Sequence, residues 1–194
     1  MLSQSRERVG LCLTIDHSQV RQGIDGTTMN SYVVGSKVVH PCYGAGTVLR
    51  IQQKSIGDAT STYYVIRTTC RAMQVMVAVD RAESAGLRGV GEPNRLRNML
   101  SLCSQPPKES EIEKDLRARQ NDMREQLKSG QFSTVVGVAR ILFYLNQRRP
   151  LGTVDRQLLE QGKDFLAAEL ALASDIEFAR ARQEVESMLL QMAT

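Results

Sequence analysis

Gly35-Ser36-Lys37-Val38-Val39-His40-Pro41-Cys42-Tyr43-Gly44-Ala45-Gly46 decides how the first half of this chain is read. Ser36 to Pro41 is a short β-rich run closed by a proline, which cannot donate to a strand ladder. Gly44 and Gly46 then supply turn or bulge geometry, because glycine takes positive φ at little cost. Thr47-Val48-Leu49-Arg50-Ile51 reads as a second strand and Ser55-Ile56-Gly57-Asp58 as a turn. Tyr63 to Arg67 is extended again, and Gln74 to Val79 is the next strand after a turn around Cys70-Arg71. Four or five short strands within about 50 residues, with tight glycine turns, predict a small closed or nearly closed barrel that leaves no free edge.

Past Gly86 and the Gly89/Gly91 pair the period turns helical. Pro93 to Leu100 makes a short helix with Leu96, Met99 and Leu100 on one face, and Ser104-Gln105-Pro106-Pro107 breaks it as an interdomain linker. Lys108 to Lys128 reads as one charged helix with Ile112, Leu116, Met123 and Leu127 at near-helical intervals. Gln131 to Gln147 is the most apolar helix. Thr153 is placed to cap a helix running to about Ala173, and Ser174-Asp175-Ile176-Glu177 fits a capping box for a last helix to about Leu190. Helices joined by loops this short pack as antiparallel neighbours.

Residues 1–30 mix Ser, Gln, Arg and Gly with little periodicity and read as a flexible lead-in, with Met29 an alternative start. They have no h-region or cleavage site, so a secretory signal is not expected. No apolar run approaches the roughly 20 residues of a membrane span, so a transmembrane helix and a membrane partner are not expected. Cys12, Cys42, Cys70 and Cys103 lie far apart without CxxC or CxxH spacing, which argues for free thiols in a reducing compartment and against zinc. His17 and His40 are the two histidines, and no GxSxG, HExxH, P-loop or dinucleotide fingerprint is present. Gly44-Ala45-Gly46 resembles the start of GxGxxG, but no helix follows it. The chain is therefore not read as an enzyme, and no cofactor, metal or small-molecule substrate is expected.

The formal net charge of +4 is weak evidence for a polyanionic partner. Basic and acidic residues balance beyond Pro107, so the excess sits in the first half. Any nucleic-acid contact in the second half must come from local clustering. Arg117, Arg119 and Arg124 lie on one charged stretch, Arg148 and Arg149 end the next, and Arg156 starts the third. These could converge into one phosphate-binding patch, or form a solvated face with intrahelical ion pairs.

The opening stretch resembles the CarD family of bacterial transcription regulators, whose barrel begins on a G-D-x-V-V-Y-P-x-H-G pattern. Tyr63 to Arg67 and Val77 to Ala82 fall where that family has its later strands, and Gly86-Leu87-Arg88 matches its G-[VL]-R. Leu127-Lys128-Ser129-Gly130 matches its L-x-S-G, and Glu169-Leu170-Ala171-Leu172-Ala173 its E-L-A-x-A. The likeness covers about residues 32–190, both halves in order. It implies an α+β chain: a flexible extension over 1–30, a small Tudor/SH3-like barrel over 31–91 that binds RNA polymerase, a short helix and linker over 92–107, and a DNA-contacting helical domain over 108–194, the C-terminal all-α part having about four to five helices.

The same resemblance implies a cytoplasmic transcription factor, monomeric and associated with the nucleoid through RNA polymerase. Its barrel would grip the polymerase β subunit, as does the related barrel of the transcription-repair coupling factor. Its helical domain would contact promoter DNA at the upstream edge of the melted bubble and stabilise the open complex without reading sequence. Lys54 and Ser55, placed on the turn after the second strand, match a basic-plus-hydroxyl pair set against polymerase, and Met76 falls where some relatives carry an interface arginine. Leu116 falls where many relatives wedge a tryptophan, a residue this chain lacks altogether. Arg156 matches a basic position of the DNA-facing patch, with Arg117 and Arg119 beside the wedge and Arg149 near it. The resemblance turns the phosphate-contact reading of these arginines into the leading one. The neutral helical half and the absent tryptophan keep a protein-only interaction module, bridging polymerase and another protein, as the alternative.

Overall fold

The computed structural model describes residues 32–56, 59–71 and 73–192. The lead-in expected for 1–30, the start at Met29, His17 and Cys12 lie outside the described residues. Ser31–Thr194 is one compact unit, and the chain is α+β, with a five-stranded antiparallel sheet followed by five helices among the described residues.

The strands are β1 (Lys37–His40), β2 (Gly44–Ile56), β3 (Ala59–Thr68), β4 (Gln74–Ala78) and β5 (Arg88–Gly89). They run in the order β4-β3-β2-β1-β5. Of the closed or nearly closed barrel expected from the strand count, full closure is not seen: β4 and β5 stand at opposite ends of the sheet, a form compatible with a Tudor-like fold. β5 is two residues long and pairs with β1, while its Arg88 side chain turns to the helices. The predicted turn at Ser55 and Ile56 is also corrected. Both residues belong to β2, where Ser55 pairs with Thr60 and Ile56 with Ala59. The ladder itself extends this polar hairpin, so no apolar alternation marks it in the sequence.

Side chains alternate across the sheet. One face buries Val38, Val48, Tyr64, Ile66 and Val77 with Ala82 and Leu87 of the segment after β4. On the other face Val39 and Ala45 pack on Ala168. Gly46 sits where strands approach too closely for any side chain, since a Cβ there would lie 2.4 Å from the Arg67 carbonyl oxygen.

The helices are α1 (Pro93–Leu100), α2 (Leu116–Lys128), α3 (Phe132–Arg148), α4 (Thr153–Ser174) and α5 (Phe178–Gln191). Among the described residues no helix is long and apolar enough to cross a membrane. Leu96 and Leu100 of α1 join Val135, Val138, Ala139 and Leu142 of α3, Leu166 and Leu170 of α4, and Val185 and Leu189 of α5 in one core. Cys103 lies in this core, and burial pushes its thiol up to about 12.

Two helix boundaries differ from expectation. The continuous helix over 108–128 is replaced by a 3₁₀ turn at Glu109–Glu111 and a fresh start at Leu116. Asp115 caps that start, its Oδ1 accepting the Ala118 N–H at 2.8 Å, and an ion pair between Glu111 and Arg140 of α3 holds the preceding segment. The capping box at Ser174–Glu177 does not form, because α4 runs through Ser174 and ends on Asp175 in the left-handed conformation (φ 52°). The Asp175 carboxylate is then committed to Lys37 of β1.

The most buried ion pair between sheet and helices is that of Arg88 and Glu169. Arg88 of β5 donates from Nη1 and Nη2 to both carboxylate oxygens of Glu169 on α4 at 2.7 Å. The Gly91 N–H adds a third bond to the carboxylate at 3.1 Å, and Arg88 also donates to the Gly130 carbonyl beyond α2. Glu169 is 3% exposed. Removing one partner of such a pair leaves a buried charge uncompensated. Glu169→Ala is therefore expected to lower unfolding free energy by about 3 kcal/mol, read from the urea midpoint; a loss below about 1 kcal/mol would mean that the junction rests on apolar packing alone.

Candidate interaction surfaces

The face of the sheet that receives α4 at Val39 and Ala45 is uncovered further along. Cross-strand partners share a face, so the register places Arg50, Val65 and Met76 in one row, Gln52 and Tyr63 with Ala78 in the next, and Lys54 opposite Ser61 beyond. Val65 is buried at the centre while Met76 is 41% exposed. Arg50 donates from Nε to Gln52 Oε1 at 2.9 Å, and the Gln52 amide reaches the Met76 sulfur at 4.0 Å.

Two of the three residues expected against polymerase, Lys54 and Met76, therefore lie on one face. Ser55, the third, points to the opposite face, where its hydroxyl lies 2.9 Å from that of Thr60. The exposed Arg67, paired with Gln74, adds a cation to the Lys54 face. Sequence reading passed over Arg50, Gln52 and Arg67. Strand parity alone would not have found Arg50, because the register shifts between Val48 and Arg50. His40 is structural: its Nδ1 accepts the Cys42 N–H at 3.1 Å, and burial lowers its pKa.

The second surface lies at one end of the helices. Antiparallel connection puts the start of α2, the end of α3 and the start of α4 together. The Arg119 side chain joins two of these ends. It is 7% exposed and donates from Nη2 to Asp155 Oδ2 at 2.9 Å and from Nη1 to the Glu113 carbonyl at 3.2 Å. Gln120 donates to the other Asp155 oxygen at 2.8 Å. Arg119 is thus held inside the fold and does not reach the surface beside its neighbours.

Around this brace Leu116 stands 48% exposed at the first turn of α2, with Arg117 exposed beside it. Arg156 is exposed next to the buried Asp155 and donates to the Leu151 carbonyl at 3.2 Å. Arg149 is exposed at the end of α3, where Arg148 stacks 4.5 Å from the Tyr144 ring centre. Leu116, Arg117, Arg149 and Arg156 are gathered at one end of the bundle. The Arg148–Tyr144 stack at that end went unread, although its i,i+4 spacing is visible in the sequence.

A sheet module locked onto a helical module, each with an exposed cationic surface, has counterparts among known proteins. Residues 32–91 match the CarD-like/TRCF RID domain, and residues 99–186 match the CarD C-terminal domain. The chain belongs to the CarD-like family of transcription-associated factors, and its sheet module is of that family's polymerase-interacting kind. It is similar to the Bacillus subtilis (strain 168) protein named "Putative transcription factor YdeB", at 24% identity over 145 residues, 75% of this chain and 94% of the relative.

The brace and the surface separate experimentally. Asp155→Ala strands Arg119 in a buried position and is expected to cost about 3–5 kcal/mol of stability, whereas Arg156→Ala, at an exposed neighbour, should stay within about 0.5 kcal/mol. Chemical denaturation of the two variants checks both values.

Proposed function

We propose that this protein is a non-enzymatic transcription regulator that docks on the β subunit of bacterial RNA polymerase and stabilises promoter open complexes by contacting DNA at the upstream edge of the bubble. The observation that carries this reading is the convergence of Leu116, Arg117, Arg149 and Arg156 at one end of the helices. Cations there suit phosphates, and an exposed leucine can wedge against a minor groove. Leucine lacks the flat stacking surface and the indole N–H of a tryptophan, so its hold on the fork is weaker than that of relatives with tryptophan at this position.

The uncovered sheet face with Lys54, Arg50 and Met76 suits docking on polymerase. The outer strand β4 adds backbone groups that an incoming strand can pair with. Anchoring matters because the helical half has no net positive charge. A tether to polymerase raises the effective concentration of the DNA-facing end, so a few weak phosphate contacts suffice. Arginine contacts to phosphates carry no base information, which fits a non-sequence-specific mode.

A protein-only bridge is the second reading, favoured by Glu113 and Asp115 beside Leu116, which set acidic charge close to the proposed DNA contact. Salt dependence separates the two. With polymerase present, Arg156→Ala is expected to weaken forked-promoter binding and to flatten the slope of log affinity against log salt by about one. An unchanged slope favours the bridge. Leu116→Ala is expected to shorten open-complex lifetime about fivefold, equivalent to about 1 kcal/mol of apolar contact; equal lifetimes rule Leu116 out as a wedge. Lys54→Glu is expected to reduce co-purification with polymerase and leave the unfolding midpoint unchanged.

A further inference from the structure

A cleft of about 330 Å³ opens where α2, α4 and the turn after β1 meet. Residues four apart share one face of a helix. Arg124 and Lys128 accordingly line one wall as a pair, and Gln157 and Gln161 line the other. The buried Leu127 and Leu158 supply an apolar floor. Pro41 stands at the margin, so close to Gly130 that a Cβ there would lie 2.9 Å from the proline Cα.

The electrostatics of the cleft are one-sided. No carboxylate lines it among the described residues. Arg124 takes part in no ion pair among the described residues, and its Nη1 donates to the neutral Asn121 amide oxygen at 3.0 Å. Lys128 pairs with Glu125, but at 59% and 71% side-chain exposure that contact is weak and yields to a stronger anion. An arginine fork beside a lysine is a phosphate-binding combination. Glutamine amides both donate and accept, which suits the edge of a heterocycle, and the leucine floor suits its face. The volume falls within the range of small-molecule sites.

We infer that this cleft binds a phosphorylated small molecule of nucleotide size, with its phosphates between Arg124 and Lys128 and its ring over Leu127 and Leu158. Duplex DNA is the poorer fit, because a concave site between two helices with an apolar floor does not match a phosphate backbone. A bound ligand touches the turn after β1 as well as two helices, beside the Gly130 turn that Arg88 holds.

The exposed Cys42 at the rim provides the readout. The full chain is treated with iodoacetamide, and modification of Cys42 is followed by peptide mass spectrometry. GDP and ADP are the probes, with pyrophosphate, guanosine and a short DNA duplex as comparison arms. The expected result is saturable slowing of Cys42 modification by at least one nucleotide, weaker slowing by pyrophosphate and none by guanosine. The Arg124→Ala/Lys128→Ala variant should need about tenfold or more nucleotide for half-protection. Gln157→Ala should weaken the nucleotide effect and spare that of pyrophosphate. Circular dichroism melting verifies that the variants fold. The inference is overturned if neither nucleotide protects Cys42 at low millimolar concentration, if protection survives in the double variant, or if the DNA duplex protects where nucleotides do not.

Discussion

The bidentate pair between Arg88 and Glu169 is the constraint on which the arrangement of the two modules depends. A carboxylate buried this deeply is tolerated only when its charge is neutralised and its oxygens are bonded. Arg88 supplies the charge and two bonds, and the Gly91 N–H supplies a third. The same guanidinium satisfies the Gly130 carbonyl just beyond α2, where a helix end leaves acceptors unfilled. One side chain thus ties the edge of the sheet to α4 and to the α2–α3 turn.

This junction also explains which residues carried the resemblance. Gly86-Leu87-Arg88, Leu127-Lys128-Ser129-Gly130 and the stretch from Glu169 to Ala173 are far apart in sequence and meet at this ion pair. Pro41 of the opening stretch packs against both Gly86 and Gly130, each at positive φ and each too close to the proline to carry a side chain. Gly44 faces Phe165 of α4 in the same way. The recognisable pattern therefore describes how the modules lock together. Leu116 is different: it is half-exposed and belongs to no core cluster, so a leucine in place of a tryptophan leaves the fold untouched while altering what the surface can do.

A second buried pair, Arg119 with Asp155, orders one end of the helices. Such pairs add little net stability, because desolvation offsets most of the attraction. Their effect here is geometric. Arg119 draws the start of α2, which carries Leu116 and Arg117, to the start of α4, which carries Arg156. In the proposed function, this fixed spacing and the Arg88–Glu169 lock let a contact on polymerase govern where a few arginines meet DNA.

The α+β order, most strands and the helices over 93–100, 132–148 and 153–174 were legible in the sequence, because strand alternation, helical period and Gly/Pro punctuation are local properties. So were the exposed positions of Arg117, Arg149 and Arg156, whereas helical period alone puts the half-exposed Leu116 on the same apolar stripe as the buried Met123 and Leu127. The break before α2 was not legible, since the ion pair that holds 109–111 reaches a residue on α3, and neither was the open sheet, since strand pairing joins residues distant in the chain. Arg119 and Arg117 look alike on a charged stretch, and only the carboxylate of Asp155, brought there by packing, sends one inward and leaves the other at the surface. Sequence by itself determined the elements and the kind of charge each carries. The tertiary structure decided which charges are spent inside the fold and which are left to bind, because that depends on partners distant in the chain.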